Sequence, residues 1–426
     1  MPDAMPPQSF HVMVKPGGST CNIDCDYCFF LSKGQLYPAG RHRMSETMLE
    51  NYIRQLLECH GPGQVNVAWQ GGEPTLLGIE FFRRAVLLAE KYRRPDQVLL
   101  HSIQTNGLLL DDKWCVFLRK HNFLVGLSLD GPQEFHDLYR KDKRGRGTFS
   151  LVMKAWERLR RHEVDFNILC TVNAGNQLHG RTIYTFFRDV IGAEWIQFIP
   201  VVERANEDML GAANAGWRSD DGDRSRPLYL QSGDRVVDRS VGRVEFGRFL
   251  IDVFEEWIRN DVGHIHVQHF EAMFGALFGQ YLMCSHAPTC GRGLALEHNG
   301  DLYCCDHYVE PDYRLGNIAA TPLSTLLASE RLHTFGNDKR DRLTRQCLGC
   351  DVRAFCHGGC PKDRFDRSFD GEHGHNYLCP GLKAFFTHAM PVMKRIALFV
   401  GEGRPAAEIM SWARERKAEC GGLETT

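Results

Sequence analysis

Cys21, Cys25 and Cys28 stand in the run CNIDCDYCFF, and their C-x3-C-x2-C spacing points to cluster chemistry. Three thiolates hold only three irons of a four-iron cubane, so the fourth iron stays open to a ligand that is not protein. An open iron is a place for a reaction, whereas a cluster closed by four cysteines is suited to carrying electrons. The competing readings are a zinc site and a set of buried thiols. Structural zinc asks for a fourth Cys or His nearby, and His11 lies in what reads as a strand. Tyr27, Phe29 and Phe30 would cover a cluster from water.

A second concentration of cysteines follows late in the chain. Cys284-x5-Cys290 precedes the adjacent Cys304 and Cys305, then Cys347-x2-Cys350-x5-Cys356-x3-Cys360, then Cys379. A zinc ribbon explains two C-x2-C pairs but neither this irregular set nor its surplus over four ligands. With Cys304 set aside, eight cysteines remain, enough to close two cubanes. Cys59, Cys115 and Cys170 lie in apolar patterns and read as inert buried thiols, and neither they nor Cys304 and Cys420 are expected to be ligands. Asp306, in CCDHYVEP, has two readings: a turn residue capping backbone beside a ligand, or a base near a substrate.

The elements that must hold these residues alternate along residues 10 to about 200. Strand patterns fall at 10–15, 65–70, 98–105, 123–130, 166–172 and 195–201. Helical patterns lie between them at 45–59 (capped by Ser45), 79–92, 111–121, 148–162 and 179–190. Repeated βα units imply a parallel sheet with helices outside, as a partial barrel or an open doubly wound sheet. Such folds place their sites at the C-terminal ends of the strands, where the cysteine loop falls. Gln70-Gly71-Gly72-Glu73-Pro74 follows the second strand, Gln104-Thr105-Asn106-Gly107 the third, and Ser128-Leu129-Asp130-Gly131 the fourth. Gly71 and Gly72 would let backbone approach a ligand. Glu73 offers a carboxylate to a ligand ammonium, and Arg140 a bidentate clamp to a ligand carboxylate.

The expected organisation is a flexible N-terminus at 1–9, the barrel at 10–242, linking helices at 243–283, a cysteine-rich domain at 284–381 and a helical tail at 382–426. Within the barrel, 203–242 reads as an insertion or flexible loop rich in Gly, Asp, Arg and Ser, and HIHVQHF beyond the helix at 243–259 reads as a strand. Hydrophobic content of 43%, charged content of 24% and a net charge of −2 describe a globular chain and argue against a nucleic-acid binder. No apolar run approaches membrane-spanning length, and MPDAMPPQSF has no signal-peptide pattern, so the expected location is the cytoplasm. Sixteen cysteines there are in the wrong compartment for disulfides.

The cysteine motif together with QGGEPTLLG, QTNGLLLDDKWC, LVGLSLDGPQEFHDLYRKD and LYCCDHYVEPDYRLGNI resembles the radical S-adenosylmethionine (SAM) enzymes with a SPASM extension, and among them the anaerobic sulfatase-maturating enzymes. The resemblance covers nearly all of the chain apart from 203–242 and both tips. It implies a partial (β/α)6 barrel followed by a SPASM-type iron–sulfur domain and C-terminal helices. It implies three [4Fe-4S] clusters: one on Cys21, Cys25 and Cys28 that binds SAM, a first auxiliary cluster on Cys284, Cys290, Cys305 and Cys360, and a second on Cys347, Cys350, Cys356 and Cys379. SAM would meet the backbone of Tyr27 and Gly72, the side chains of Ser128 and Arg140, and Val202 at its adenine. Cys304 departs from the family pattern, and Cys305 is taken as the ligand because Asp306 must follow it.

The activity implied is oxidation of a cysteine or serine in a sulfatase to Cα-formylglycine. A 5′-deoxyadenosyl radical would take hydrogen from Cβ while Asp306 takes the thiol or hydroxyl proton and the auxiliary clusters take the electron. The implied partners are an unfolded or nascent sulfatase with a C/S-x-P/A-x-R-type motif and a flavodoxin- or ferredoxin-type reductant. A rival enzyme reading is a radical SAM maturase that crosslinks or otherwise modifies a ribosomally made peptide, although a barrel starting near residue 10 leaves no room for an N-terminal recognition domain. Outside enzymes, an iron–sulfur electron carrier or zinc scaffold competes, against which the three-cysteine site and the polar strand ends argue.

Overall fold

Six strands pair in sequence order, each parallel to the next, in a computed structural model that describes residues 10–38, 40, 42–217 and 227–421. They are β1 (His11–Lys15), β2 (Gly63–Trp69), β3 (Gln97–Thr105), β4 (Phe123–Ser128), β5 (Phe166–Val172) and β6 (Trp195–Pro200). Parallel neighbours need crossovers, which here are helices. Glu46–Cys59 begins where Ser45 accepts a hydrogen bond from the Met48 N–H, and Asp112–Lys120 where Asp111 accepts from the Trp114 N–H. Ile79–Tyr92, Phe149–Arg161 and Gly180–Phe186 supply the others, the last running into a π turn at Phe187–Ile191.

Period-2 alternation in β3 sorts its side chains. Gln97, His101, Ile103 and Thr105 are buried, whereas Val98, Leu100, Ser102 and Gln104 face the more open side. Beneath the helices, Trp69 meets the rings of Tyr52, Phe81 and Phe82 edge-on, which fixes the helical layer against β2.

The sheet does not end with the barrel strands. The antiparallel pair β7 (Arg204–Ala205) and β8 (Arg235–Val236) stands apart, but β9 (His266–Val267) joins β6 in parallel. On the other edge β10 (Gly293–Glu297) lies parallel to β1 with Lys15 opposite Glu297, followed by antiparallel β11 (Asp301–Tyr303) and β12 (Arg314–Asn317). The cysteine-rich segment therefore begins as a continuation of the barrel's own sheet.

Several expectations are amended. HIHVQHF is a strand only at His266–Val267; from Gln268 it turns into the helix Gln268–Ala276. A short helix, Gln133–Tyr139, was not signalled by periodicity. The described residues of 203–242 are folded rather than loose: Ala205, Ala213, Trp217, Tyr229 and Val237 form a small core against which Phe29 packs. Charges there pair internally, with Arg239 Nη2 and Nε donating to Glu203 at 2.6 and 2.7 Å. Composition alone reads such charges as solvated. Residues 1–9 and 218–226 and the side chain of Cys420 lie outside the described residues. No helix among the described residues is long and apolar enough to cross a membrane.

The helix Cys379–Gly401, starting before the expected boundary at 382, packs on Glu245–Asn260 with backbone almost in contact. A Cβ on Gly247 would lie 2.0 Å from the Gly381 oxygen. Gly247→Ala should therefore push these helices apart and destabilise the fold by about 1–3 kcal/mol through overpacking. Denaturant unfolding reads this, and an unchanged midpoint would show that the helices yield freely.

Candidate active site

The loop after β1 is held on two sides. Toward β2, the Gly72 N–H donates to the Gly18 oxygen at 2.9 Å and the Glu73 N–H to the Thr20 oxygen at 2.8 Å. A Cβ on Gly72 would lie 2.1 Å from that same Thr20 oxygen, so only glycine lets the two loops close. Gly71 adopts φ +127°, also a glycine conformation. Toward β4, the Asp24 and Asp26 N–H groups donate to the oxygens of Lys141 (2.7 Å) and Tyr139 (3.1 Å). The backbone approach expected of the two glycines is thus made first to the cysteine loop itself.

Glu73 is buried and braces the strand ends. Its carboxylate accepts from Thr75 N–H (3.0 Å) and Oγ1 (2.5 Å), Thr105 Oγ1 (2.8 Å) and the Asn106 N–H (2.8 Å). Asn106 in turn donates toward Cys21 Sγ at 3.7 Å. Burial raises the Glu73 carboxyl, with those four hydrogen bonds opposing.

Asp130, just beyond β4, organises the opposite side. It is fully buried and accepts from Tyr27 OH (2.5 Å), Arg140 Nε (2.9 Å) and Nη2 (3.2 Å), and the Thr171 N–H (2.9 Å). Burial works against its charge, but Arg140, with His136 and the Tyr27 hydroxyl adding, outweighs it and the carboxyl lies below the usual range. Arg140, expected to clamp a ligand carboxylate, thus holds an internal one by two of its nitrogens, with its guanidinium over the Tyr27 ring at 5.6 Å. Sequence reading quoted Asp130 but gave it no role; its sole signal was an oppositely charged Arg ten residues on. Ser128 sits half-buried at the end of β4, and Val202 is buried just past β6.

The thiols gather in three groups. Burial pushes Cys21 up to about 12, with Glu73 and Cys28 adding, and lifts Cys25 well above the ordinary range, with Arg140 opposing and Cys28 and Cys21 adding. In the second group burial raises Cys290, Cys305 and Cys360, and Cys284 adds to each. In the third, burial lifts Cys356 to about 11 and Cys379 to about 12, and Cys347 and Cys350 add to both. Cys304 differs: it is packed in the main core, where Arg331 is the charge that acts on it, whereas Cys305 faces Cys360 and Cys284.

Buried thiols that oppose one another's ionisation call for positive charge among them, which an iron–sulfur cluster brings. No disulfide joins the described cysteines, and among the described residues no three His, Cys, Asp or Glu side chains are placed to hold a single ion. Cubane ligands stand around a body wider than one ion, and a spread group of cysteines is the donor set such a body asks for.

Asp306 comes to this site through the sheet. β11 runs back along β10, and Asp306 reaches the C-terminal end of β1, where it pairs with Lys15 Nζ. Lys15 is buried, donates to Gln70 Oε1 at 3.3 Å and lies 4.4 Å over the Phe30 ring. Burial raises the Asp306 carboxyl, but Lys15, His307 and His11 together bring it below the usual range. Sequence reading missed Lys15, because a lysine ending a strand carries no sign of a distant partner.

The radical SAM superfamily model matches residues 16–176, and a SPASM iron-sulfur cluster-binding domain model matches 284–351. A serine-type anaerobic sulfatase-maturating enzyme of Bacteroides thetaiotaomicron is 40% identical over 90% of this chain and 90% of its own. A cysteine-type enzyme of Clostridium perfringens is 32% identical over 92% and 99%. The structure of native anSMEcpe with bound AdoMet and Kp18Cys peptide superimposes with a TM-score of 0.76 at 30% identity, covering 91% of this chain and 98% of that one. Streptococcus suis SuiB bound to its precursor peptide SuiA shares the fold at a TM-score of 0.57 and only 13% identity. With the barrel, the cysteine groups and the full-length likeness all in agreement, the chain belongs to the anaerobic sulfatase-maturating enzymes of the radical SAM superfamily, with an iron–sulfur SPASM domain.

Proposed function

We propose that this chain acts in the cytoplasm to oxidise a cysteine or serine of an unfolded or nascent sulfatase, within a C/S-x-P/A-x-R-type motif, to Cα-formylglycine. The observation that carries this reading is the arrival of Asp306 at the C-terminal end of β1, the strand from which the cysteine loop departs. Cys21, Cys25 and Cys28 would hold a SAM-binding [4Fe-4S] cluster. Cys284, Cys290, Cys305 and Cys360 would hold a first auxiliary cluster, and Cys347, Cys350, Cys356 and Cys379 a second. When bound, the cluster and SAM supply a carbon radical able to take hydrogen from an unactivated C–H bond, with electrons from a flavodoxin- or ferredoxin-type donor.

The chain's own residues do the rest. Asp306 accepts the thiol or hydroxyl proton of the target residue, and the electron would pass to the auxiliary clusters. A serine then gives the aldehyde directly, whereas a cysteine gives a thioaldehyde that water converts to the aldehyde with release of hydrogen sulfide. Tyr27, Gly71, Gly72, Glu73, Ser128, Arg140 and Val202 would line the place for SAM. Glu73, Asp130 and Arg140 fix the loop walls, and Phe29 and Phe30 keep water from the cysteines. Anaerobic incubation with SAM, reductant and synthetic C-x-P-x-R and S-x-P-x-R peptides, followed by mass spectrometry, tests the reading. Aldehyde at the target residue supports it, and SAM turnover that leaves both peptides unmodified would refute it.

Asp306→Asn should lower formylglycine formation by ~10²–10⁴-fold, the usual contribution of a positioned base, while SAM cleavage to 5′-deoxyadenosine continues. Iron is measured first, and near wild-type product with iron intact would reduce Asp306 to a turn residue. The packing of the adjacent thiols gives a separate expectation. Cys304→Ser should keep the full complement of about twelve irons, whereas Cys305→Ser should lose about four. The reverse pattern would shift the ligand register of the loop by one residue.

A further inference from the structure

Lys15, buried at the end of β1, touches several elements of the site and has no role in the reading above. Its ammonium joins four features: the Asp306 carboxylate, the Gln70 side chain, the Phe30 ring and the end of β1. Gln70 Nε2 donates onward to Gln104 Oε1 at 2.7 Å, so the polar chain crosses β1, the end of β2 and β3. A long, buried cation is expensive and persists where its partner is fixed. Asp306 itself lies on a 3₁₀ turn at the junction of the two domains, and its ion pair with Lys15 ties that turn to the barrel.

We propose that Lys15 is the positioning residue of the reaction, an anchor on the barrel that sets where the carboxylate of Asp306 stands relative to the target residue. This rests on the reading of Asp306 as the proton acceptor. The sheet register fixes the backbone at Lys15, opposite Glu297, and the ion pair transmits that position across the junction between the two domains. Misplacing a reacting group by about 1 Å can cost about 10²-fold in rate.

The test is a double-mutant cycle on the full chain with its clusters loaded. Lys15→Met keeps the length and apolar stem of the side chain and removes the ammonium. It should lower the turnover number for formylglycine by about 10- to 100-fold. The peptide KM, equilibrium SAM binding and iron content should stay unchanged, and more 5′-deoxyadenosine should form per aldehyde. In an Asp306→Asn background the same substitution should change turnover by no more than about twofold, because the group it positions is already gone. The double variant also leaves no unpaired buried carboxylate, which guards against misfolding of the single variant.

Multiplying losses in the double variant would overturn the proposal, showing that Lys15 acts independently of Asp306. So would a Lys15→Met enzyme with wild-type turnover, or one whose defect lies wholly in iron content or SAM binding. A normal Asp306→Asn enzyme would instead refute the underlying reading of the base.

Discussion

Parallel pairing of β1 with β10 is the constraint on which the site depends. β1 leads into the cysteine loop, and β10 opens the short meander whose second strand, β11, leads to Cys305 and Asp306. Pairing them makes one sheet of what sequence reading divides at residue 284. It also brings Asp306, a residue of the cysteine-rich segment, to the strand end where the barrel's own chemistry begins. Were the segment tethered only by its helices, the carboxylate and the first cysteine group would move as separate bodies. A continuous sheet removes that freedom, because register is fixed residue by residue.

Charge completes what the sheet begins. Among the described residues, the ion pairs Lys15–Asp306, Lys33–Glu310, Arg140–Asp130 and Arg239–Glu203 have both partners largely buried and stand near the strand ends. Such pairs add little net stability, since desolvation cancels much of their attraction, yet breaking one partner leaves a costly buried charge. Each pair ties one loop to another part of the site. Lys33 also donates to the Tyr229 oxygen at 2.6 Å, and the Gln231 N–H to Glu310 at 2.8 Å, which straps the 229–231 stretch across the turn after the cysteine loop. The small core around Trp217 and Tyr229 therefore stands beside Phe29, next to Cys28.

What was legible in this sequence was local. The six strands appear within a residue or two of their apolar runs, and Ser45 caps the first helix, because burial period and capping are properties of neighbouring residues. Partnership between distant residues was not legible. Asp130 and Arg140 looked like two polar strand-end residues and are one ion pair. Lys15 ends the run HVMVK without any sign of Asp306. The segment 203–242 read as an insertion or flexible loop because nothing in its composition hints that Glu203 and Arg239 pair with each other. At Cys304 and Cys305 the sequence offered two equal thiols, and packing distinguishes them by sending one into the core and the other toward Cys360.

The cysteine loop and Asp306 are proposed to work on one residue, losing a hydrogen from its Cβ to the radical and a proton from its thiol or hydroxyl to the carboxylate. Following an isotope tests this most directly. The loaded enzyme is given SAM, reductant and a peptide deuterated at Cβ of the target cysteine or serine, and the 5′-deoxyadenosine is examined by mass spectrometry. Deuterium should pass into 5′-deoxyadenosine as aldehyde forms, and a peptide deuterated only at Cα should transfer none. Aldehyde formed alongside unlabelled 5′-deoxyadenosine, or label drawn from Cα, would contradict the account.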